Sequence, residues 1–359
     1  MRIYIDIGHP AHVHYFKNFI KIMEDKGHVF FVSARNRSVI FSLLKKYNIS
    51  YYDRGKGRDG VFGKLFYLIY ADFKLISQAF RFKPQICISF ASPYAAHTAW
   101  LLRIPHIAID DTEHAKFGHI LYKPFSKVFL NPVCFQKDFG KKQILFNSYA
   151  ELFFLHDNYF KPSKVVLNQL GLSEDDKFAL LRFISWNANH DIGHSGLDLE
   201  TKKKLIKKLT NLGYKVFISS EAENKDPFFD KYLIKTSPEL IHQVMSQADL
   251  VVSEGATMAA ESAMLGIPAI YVNSLDAGTL RELEDKYQLI HGFRSSEGVI
   301  EKVLEIINST DYKKQYQMRR DKMLSEKIDV TAFLVWFIEN YPSSVKVMRE
   351  NPDYQYNFK

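Results

Sequence analysis

Four groups of residues have types and spacing suited to chemistry. The first is Ser253-Glu254-Gly255-Ala256-Thr257, which follows the apolar run LVVS and opens an alanine- and methionine-rich segment. A strand that turns through glycine into a helix leaves backbone N–H groups unpaired at the positive end of the helix dipole. Such an end suits a phosphate. Glu261 falls four residues after Thr257, on the same helix face and tilted back toward the N-terminus. Its carboxylate can there accept hydrogen bonds from a diol beside the phosphate. The spacing is one residue off a Thr-x-x-Glu capping box, so the competing reading is an acid favourably placed near a helix start.

The second group is His9, His12 and His14 in HPAHVH, directly after the apolar strand RIYIDI. An imidazole at a strand end serves as a general base or as a neutral donor to phosphate. A metal site would need a fourth ligand that no motif signals. The competing reading is that one or two of these histidines cap the helix or fill the turn. The third is Asp110-Asp111-Thr112-Glu113-His114, acidic after another apolar run. Asp111 or Glu113 can remove a hydroxyl proton or bind sugar hydroxyls; otherwise these are solvated loop charges with one capping Asp. The fourth is the polar run 185–196 (SWNANHDIGHSG), with Ser185, Asn187 and His190, preceded by Arg182. Twelve residues, ten of them polar or small, straight after a strand have the look of a functional loop on a rigid scaffold. Arg182 can reach a phosphate or pair within the sheet.

The elements around these groups alternate. Strands are expected at 2–7, 28–33, 49–52, 85–90 and 105–110, with helices at 13–26, 36–47 and 93–102 between them. That order predicts a parallel, doubly wound sheet with its site at the C-terminal strand ends. Residues 146–172 break the alternation. It restarts with strands at 177–184, 216–219, 250–253 and just after Pro268, and helices at 197–212, 238–247, 279–286 and 297–308. A helical tail follows at 311–341, with Trp336 and Phe337 on its apolar face. The expected division is an N-terminal Rossmann-like domain (1–160), a C-terminal one (161–325) and a tail (326–359) that can return to the first domain. The helix 61–82 has two readings: an amphipathic helix packed on the sheet, or a basic and aromatic surface that touches a membrane interface.

At 359 residues the chain exceeds the usual single-domain size. Its 47% hydrophobic and 25% charged residues are those of a soluble globular protein. No run of 18 uncharged apolar residues is present and the N-terminus leads directly into a strand, so neither a spanning helix nor a signal peptide is expected. Two cysteines in apolar surroundings, Cys87 and Cys134, read as buried thiols of a cytoplasmic protein. The net charge of +8 permits contact with an anionic membrane surface. Scattered lysines without a recognition motif argue against a nucleic-acid partner.

Two doubly wound domains, with a small-residue turn and a Glu-bearing helix in the second, resemble the glycosyltransferase-B architecture, in which two Rossmann-like domains face a cleft. The segment SEGATMAAESAMLGIPAI is similar to the nucleotide-binding stretch of MurG-type N-acetylglucosaminyltransferases and of non-hydrolysing UDP-N-acetylglucosamine 2-epimerases. With DIGHPAHVHYFKN, DDTEHA and RFISWNANHDIG, it makes the chain resemble a poorly characterised domain-of-unknown-function family of such proteins. The resemblance implies a sugar-nucleotide enzyme and maps its diphosphate and ribose contacts to Gly255, Ala256, Thr257 and Glu261; the residues themselves add His9, Arg182, Ser185, Asn187, His190 and Ser253 to the expected site for a UDP-linked donor, with no cofactor. The expected catalytic groups, read from their place at the strand ends, are His12, His14, Asp111 or Glu113, with no metal. The expected reaction is inverting transfer of a sugar to a glycan or lipid-linked acceptor in surface polysaccharide synthesis, with peripheral contact at the inner membrane face. The alternatives are a 2-epimerase and a binding protein without catalysis. The first loop departs from the MurG-type pattern, with His9-Pro10 where that pattern has Gly-Gly, so its acceptor contacts do not carry over. Glu254 is an awkward neighbour for a diphosphate.

Overall fold

The computed structural model describes residues 1–58, 60–184, 196–220 and 226–359. The chain forms two α/β units: Met1–Phe154 with Lys327–Lys359, and Leu155–Glu326.

The first unit carries strands β1 (Arg2–Ile7), β2 (Val29–Ala34), β3 (Tyr52–Asp53), β4 (Ile86–Phe90), β5 (His106–Ile109), β6 (Val128–Pro132) and β7 (Gln143–Phe146). They pair in parallel in the order β3-β2-β1-β4-β5-β6-β7. Parallel sheets are covered on both faces, so central strands are apolar along their whole length rather than alternating. β1 and β4 follow this rule: every residue of ICISF is buried, and so is every residue of RIYIDI except Arg2.

The helix that follows β1 is Pro10–Asp25, three residues longer at its start than the sequence predicts. Proline at the first helical position loses no hydrogen bond, and its fixed φ suits the helix, so HPAHVH is a helix start and not a turn. β6 and β7 are not foreseen; at five and four residues they are too short for alternation to declare them. The expected tail helix is divided. Tyr312–Glu326 belongs to the second unit, whereas Val330–Glu339 packs on the first, with Thr331 donating to the Phe153 carbonyl (2.9 Å) and Glu339 paired to Lys26 (2.6 Å). Asp329 caps this last helix by accepting from the Ala332 amide (2.9 Å). Cys87 is buried as expected, but Cys134 is partly exposed.

The second unit carries β8 (Phe178–Phe183), β9 (Lys215–Ser220), β10 (Leu250–Ser253), β11 (Ala269–Val272) and β12 (Ile290–Phe293). They too are all parallel, in the order β12-β11-β10-β8-β9. In the first unit the chain runs one way from β1 through β2 and the other way from β4. In the second it reverses between β8 and β10. Diverging connections leave a crevice beyond the carboxyl ends of the two central strands, and open α/β sheets bind ligands there.

Candidate functional site

In the second unit the reversal point is occupied by the residues that follow β10. Ser253 ends the strand, Gly255 caps the helix Ala256–Met264, and the first intrahelical bond of the next turn runs from the Ala259 amide to the Gly255 carbonyl (3.3 Å). The amides of Ala256, Thr257 and Met258 therefore have no acceptor within the helix. From Val251 to Asn273 every residue is buried except Gly255, Ala256 and Thr257. The turn is the single opening in an otherwise sealed β-α-β segment.

Gly255 sits at φ −99°, a conformation open to any residue. A Cβ there would meet Ile184 Cγ2 at 3.6 Å and Ser253 Oγ at 3.7 Å, ordinary contact distances. Among the described residues, neither backbone strain nor packing requires glycine at this position. Ser253 Oγ is engaged within the turn, accepting from the Gly255 amide (3.0 Å) and donating to the Gly255 carbonyl (2.8 Å). Its hydroxyl shapes the loop and does not reach outward.

Glu254 points the other way. It is fully buried, and its carboxylate accepts from the Ile184 amide (2.9 Å) and the Leu197 amide (3.0 Å) while pairing with Lys202 (2.7 Å). Its backbone carbonyl accepts from Asn273 Nδ2 (2.9 Å), which ties the turn to the end of β11. The acid that looked awkward beside a diphosphate is a clasp between β8 and the start of the helix Leu199–Asn211. A Cβ on Gly196 would lie 2.5 Å from Glu254 Oε1, so glycine is required there for close approach.

Glu261 lies on the helix Ala256–Met264 and is 7% exposed. Its Oε1 pairs with His242 Nε2 at 3.1 Å, and His242 is itself buried on the neighbouring helix Ile241–Gln247. His242 is a partner the sequence reading missed; only the packing of two helices brings it there. Arg182, on β8, donates to Ser219 Oγ on β9 (2.8 Å), an interaction within the sheet. Ser185, Asn187 and His190 lie outside the described residues.

In the first unit the reversal between β1 and β4 holds a buried ionic cluster. Asp6 is fully buried in β1 and accepts from Ser33 (2.5 Å), Ser92 (2.5 Å) and Arg54 (2.6 Å). Arg54 is also buried and lies over the Tyr94 ring at 4.0 Å. Burial alone would depress its pKa, and the Asp6 carboxylate together with Tyr67, Tyr94 and Tyr4 more than offsets that, leaving it raised. Arg35 follows β2, and its pKa is lowered by burial and then by Arg37 and Arg54. Arg35 thus lies near both Arg37 and Arg54 at these strand ends, where Arg54 is itself paired with Asp6. An acid inside the apolar run RIYIDI was the available signal for this cluster, and the sequence reading passed over it.

The three histidines separate. His9 is the helix N-cap, its Nδ1 accepting from the Ala11 amide at 3.3 Å. His12 stacks on Phe90 with ring centroids 5.3 Å apart, and its Nδ1 faces the Gly8 amide at 3.5 Å. Burial, then His9 and Arg54, lower its pKa well below the usual value, so it is neutral with its proton on Nε2. His14 is buried on the packing face of the helix, 5.2 Å from the Phe154 ring and within 3.3 Å of the Tyr47 hydroxyl. This position is in the core and not at the strand ends, because residues two apart on a helix diverge by about 200°.

At the end of β5, Asp110 is committed: Tyr122 donates to it, His119 pairs with it (3.0 Å), and it accepts from the Thr112 amide (2.9 Å). Asp111 differs. Burial, then the Asp110 charge, push its pKa up to about 6, against lowering contacts from the Thr112 hydroxyl (3.0 Å) and from its own backbone amide. A carboxyl that titrates near neutrality exchanges protons readily. Glu113 Oε1 accepts from the Gln136 amide at 3.3 Å. Among the described residues no three His, Cys, Asp or Glu side chains converge to hold a metal ion.

Two doubly wound parallel sheets, each reversing at its central strands, define the class: this is the glycosyltransferase-B fold. The chain belongs to the family described as "Protein of unknown function (DUF354)", whose model matches residues 1–341. A curated relative, "Uncharacterized protein MJ0665" of Methanocaldococcus jannaschii, is 25% identical over 301 residues, covering 80% of this chain and 87% of the relative. Among solved structures, the S. aureus MnaA–UDP co-structure is similar with a TM-score of 0.69 at 11% identity, covering 96% and 98% of the two chains. The UDP-GlcNAc 2-epimerase of Neisseria meningitidis bound to UDP-GlcNAc gives 0.66 at 13% identity, covering 88% and 94%. The spinosyn rhamnosyltransferase SpnG gives 0.61 at 12% identity, covering 95% and 100%. At these identities the likeness is one of fold.

Proposed function

We propose that this protein is a sugar-nucleotide enzyme whose second unit binds a nucleoside diphosphate sugar at residues 255–257. The observation that carries the reading is the turn itself. It is the only part of an otherwise buried segment that is not fully buried, it lies at the reversal point of the sheet, and its glycine is required by nothing among the described residues. A glycine without an internal reason is explained by a ligand that approaches the backbone closely. The free amides and the helix dipole then meet the diphosphate, and in the reaction they meet the charge of the leaving nucleotide. Glu261, oriented by His242, accepts from the ribose hydroxyls. Three of the similar structures hold UDP or UDP-GlcNAc, which supports a UDP-linked donor.

The reaction is inverting transfer to a glycan or lipid-linked acceptor of a surface polysaccharide. Asp111, titrating near 6, is the better base for the acceptor hydroxyl; His12, neutral with its proton on Nε2, is a donor to an oxyanion or a phosphate. The strand ends of the first unit, with Arg35 near Arg37 and Arg54, suit a phosphate on the acceptor. A second reading, 2-epimerisation, is favoured by the several 2-epimerases among the similar structures.

Calorimetric screening of nucleoside diphosphates tests the donor site. UDP should bind, and Glu261→Ala should weaken it by about 10- to 150-fold, the loss of roughly 1.5–3 kcal/mol of charge-assisted hydrogen bonding. Unchanged affinity refutes the ribose placement. Incubation with UDP-sugars alone and with membrane lipid extract separates the reactions: epimerisation without acceptor removes the transferase reading, and binding without turnover removes both.

A further inference from the structure

The outward face of the helix Val61–Phe82 is apolar. Apart from Lys64 and Arg81, its exposed positions are Phe62, Leu65, Phe66, Ile69, Tyr70, Phe73, Ser77 and Phe80, seven of these eight large and apolar. At about 100° per residue these eight fall within a single arc of roughly 140°. Phe62 is 88% exposed, Phe73 74% and Phe80 69%. The inward face carries Tyr67, Ala71, Leu75 and Ala79, all buried. The helix is thus packed on its unit and still presents a full apolar stripe to the outside, which a helix with only the sheet as partner does not do.

The stripe extends to its neighbours. Tyr67 meets Tyr94 (centroids 5.9 Å apart), and His97 pairs with Asp72 (2.7 Å), which sets the helix Pro93–Leu101 alongside in the same direction. His97 Nε2 also bonds the Leu121 carbonyl (2.9 Å), bringing in the helix Lys116–Tyr122. These two helices add exposed Trp100, Leu101, Phe117 and Ile120.

The charge around this face is positive. Residues 56–83 contain six Lys and Arg against two Asp, and one of the acids, Asp72, is held by His97. Exposed Lys56, Arg58, Lys64, Arg81, Lys83 and Lys116 surround the aromatics, with Arg58 lying over the Phe66 ring at 4.5 Å. No helix among the described residues is long and apolar enough to cross a membrane. Apolar side chains ringed by cations, on a helix that does not span, match the physics of a segment lying in a bilayer interface.

We propose that the face built on the helix Val61–Phe82 docks on an anionic lipid bilayer, inserting Phe62, Phe66, Ile69 and Phe73 among the acyl chains while the flanking cations meet the headgroups. The occupant is a lipid surface and not a second protein copy, because the charge ring is complementary to acidic headgroups and would repel its own image. This inference is independent of the donor site, since vesicle binding and nucleotide binding are read separately.

Co-sedimentation of the full chain with vesicles tests it. Binding to phosphatidylglycerol–phosphatidylcholine vesicles should exceed binding to pure phosphatidylcholine and should fall as salt is raised. Replacing Phe62, Phe66 and Phe73 together by Ser should weaken vesicle binding by at least about 100-fold. Far-UV circular dichroism and UDP affinity should stay unchanged, since these side chains are exposed. Lys64→Glu with Lys116→Glu should weaken binding by about fivefold per site while leaving the apolar stripe intact. Equal binding to both vesicle types, or undiminished binding by the triple variant, overturns the proposal. So does a dimer in sedimentation velocity that the triple variant dissociates while neither form binds vesicles; the face is then an interface between copies.

Discussion

Removing the Glu254 carboxylate should destabilise the second unit without emptying the donor site. Three donors converge on this one buried side chain: the amides of Ile184 and Leu197 and the ammonium of Lys202, whose side chain is only 15% exposed. Glu254→Ala leaves all three facing a void. An unsatisfied buried donor costs about 1–3 kcal/mol, and an uncompensated buried charge about 3–5 kcal/mol. The losses overlap because Lys202 can swing toward solvent, so roughly 3–4 kcal/mol is expected. For a unit of this size that lowers Tm by about 6–16 °C. Glu254→Gln keeps one acceptor but turns an NH2 group toward a donor, so its loss should be about half as large. Differential scanning fluorimetry gives the Tm. Hydrogen exchange at the Ile184 and Leu197 amides gives the locality, and both should exchange faster. UDP affinity at a temperature where the variant is folded should change by less than about threefold. The reasoning fails if Glu254→Ala melts with the wild type yet loses UDP, for the carboxylate would then be facing the ligand.

The raised pKa of Asp111 predicts that kcat/KM of the proposed transfer reaction rises with pH through about 6, and that Asp111→Asn removes this limb; a pH–rate profile that keeps it excludes Asp111 as the base. The sign for stability is opposite. A carboxyl held more tightly protonated when folded contributes stability that is full below about pH 4 and is lost as pH rises through 6, so Asp111→Asn should flatten that part of the Tm–pH curve. For the buried pair in the first unit, Arg54→Met should cost about 3–5 kcal/mol, whereas Asp6→Asn with Arg54→Met should cost less than the single change, because it leaves no uncompensated charge. Denaturant unfolding of the single and double variants measures both, and a double variant less stable than Arg54→Met would show that the Asp6 contacts with Ser33 and Ser92 dominate.

The two sheets and the Gly255 turn could be read from the chain because they depend on local order. Apolar runs of strand length, the glycine between strand and helix, and the helix with Glu261 are all set by neighbours in sequence. The facing of side chains was not legible in the same way. Glu254 and Gly255 are adjacent, yet one is the buried clasp and the other the exposed floor of the turn; strand order, which puts β8 beside β10, decides between them. His12 and His14 differ only by their angle on one helix, and only packing against Tyr47 and Phe154 assigns His14 to the core. Sequence could list the two fates of the helix Val61–Phe82 without choosing, because its apolar residues surround both its small inward face and its large outward one. The partners of Asp6 and Glu261 come from 27 to 86 and from 19 residues away respectively. Local pattern determines what an element is. Which of its faces is covered, and by what, is fixed by contacts distant in sequence, and the tertiary structure decided that here.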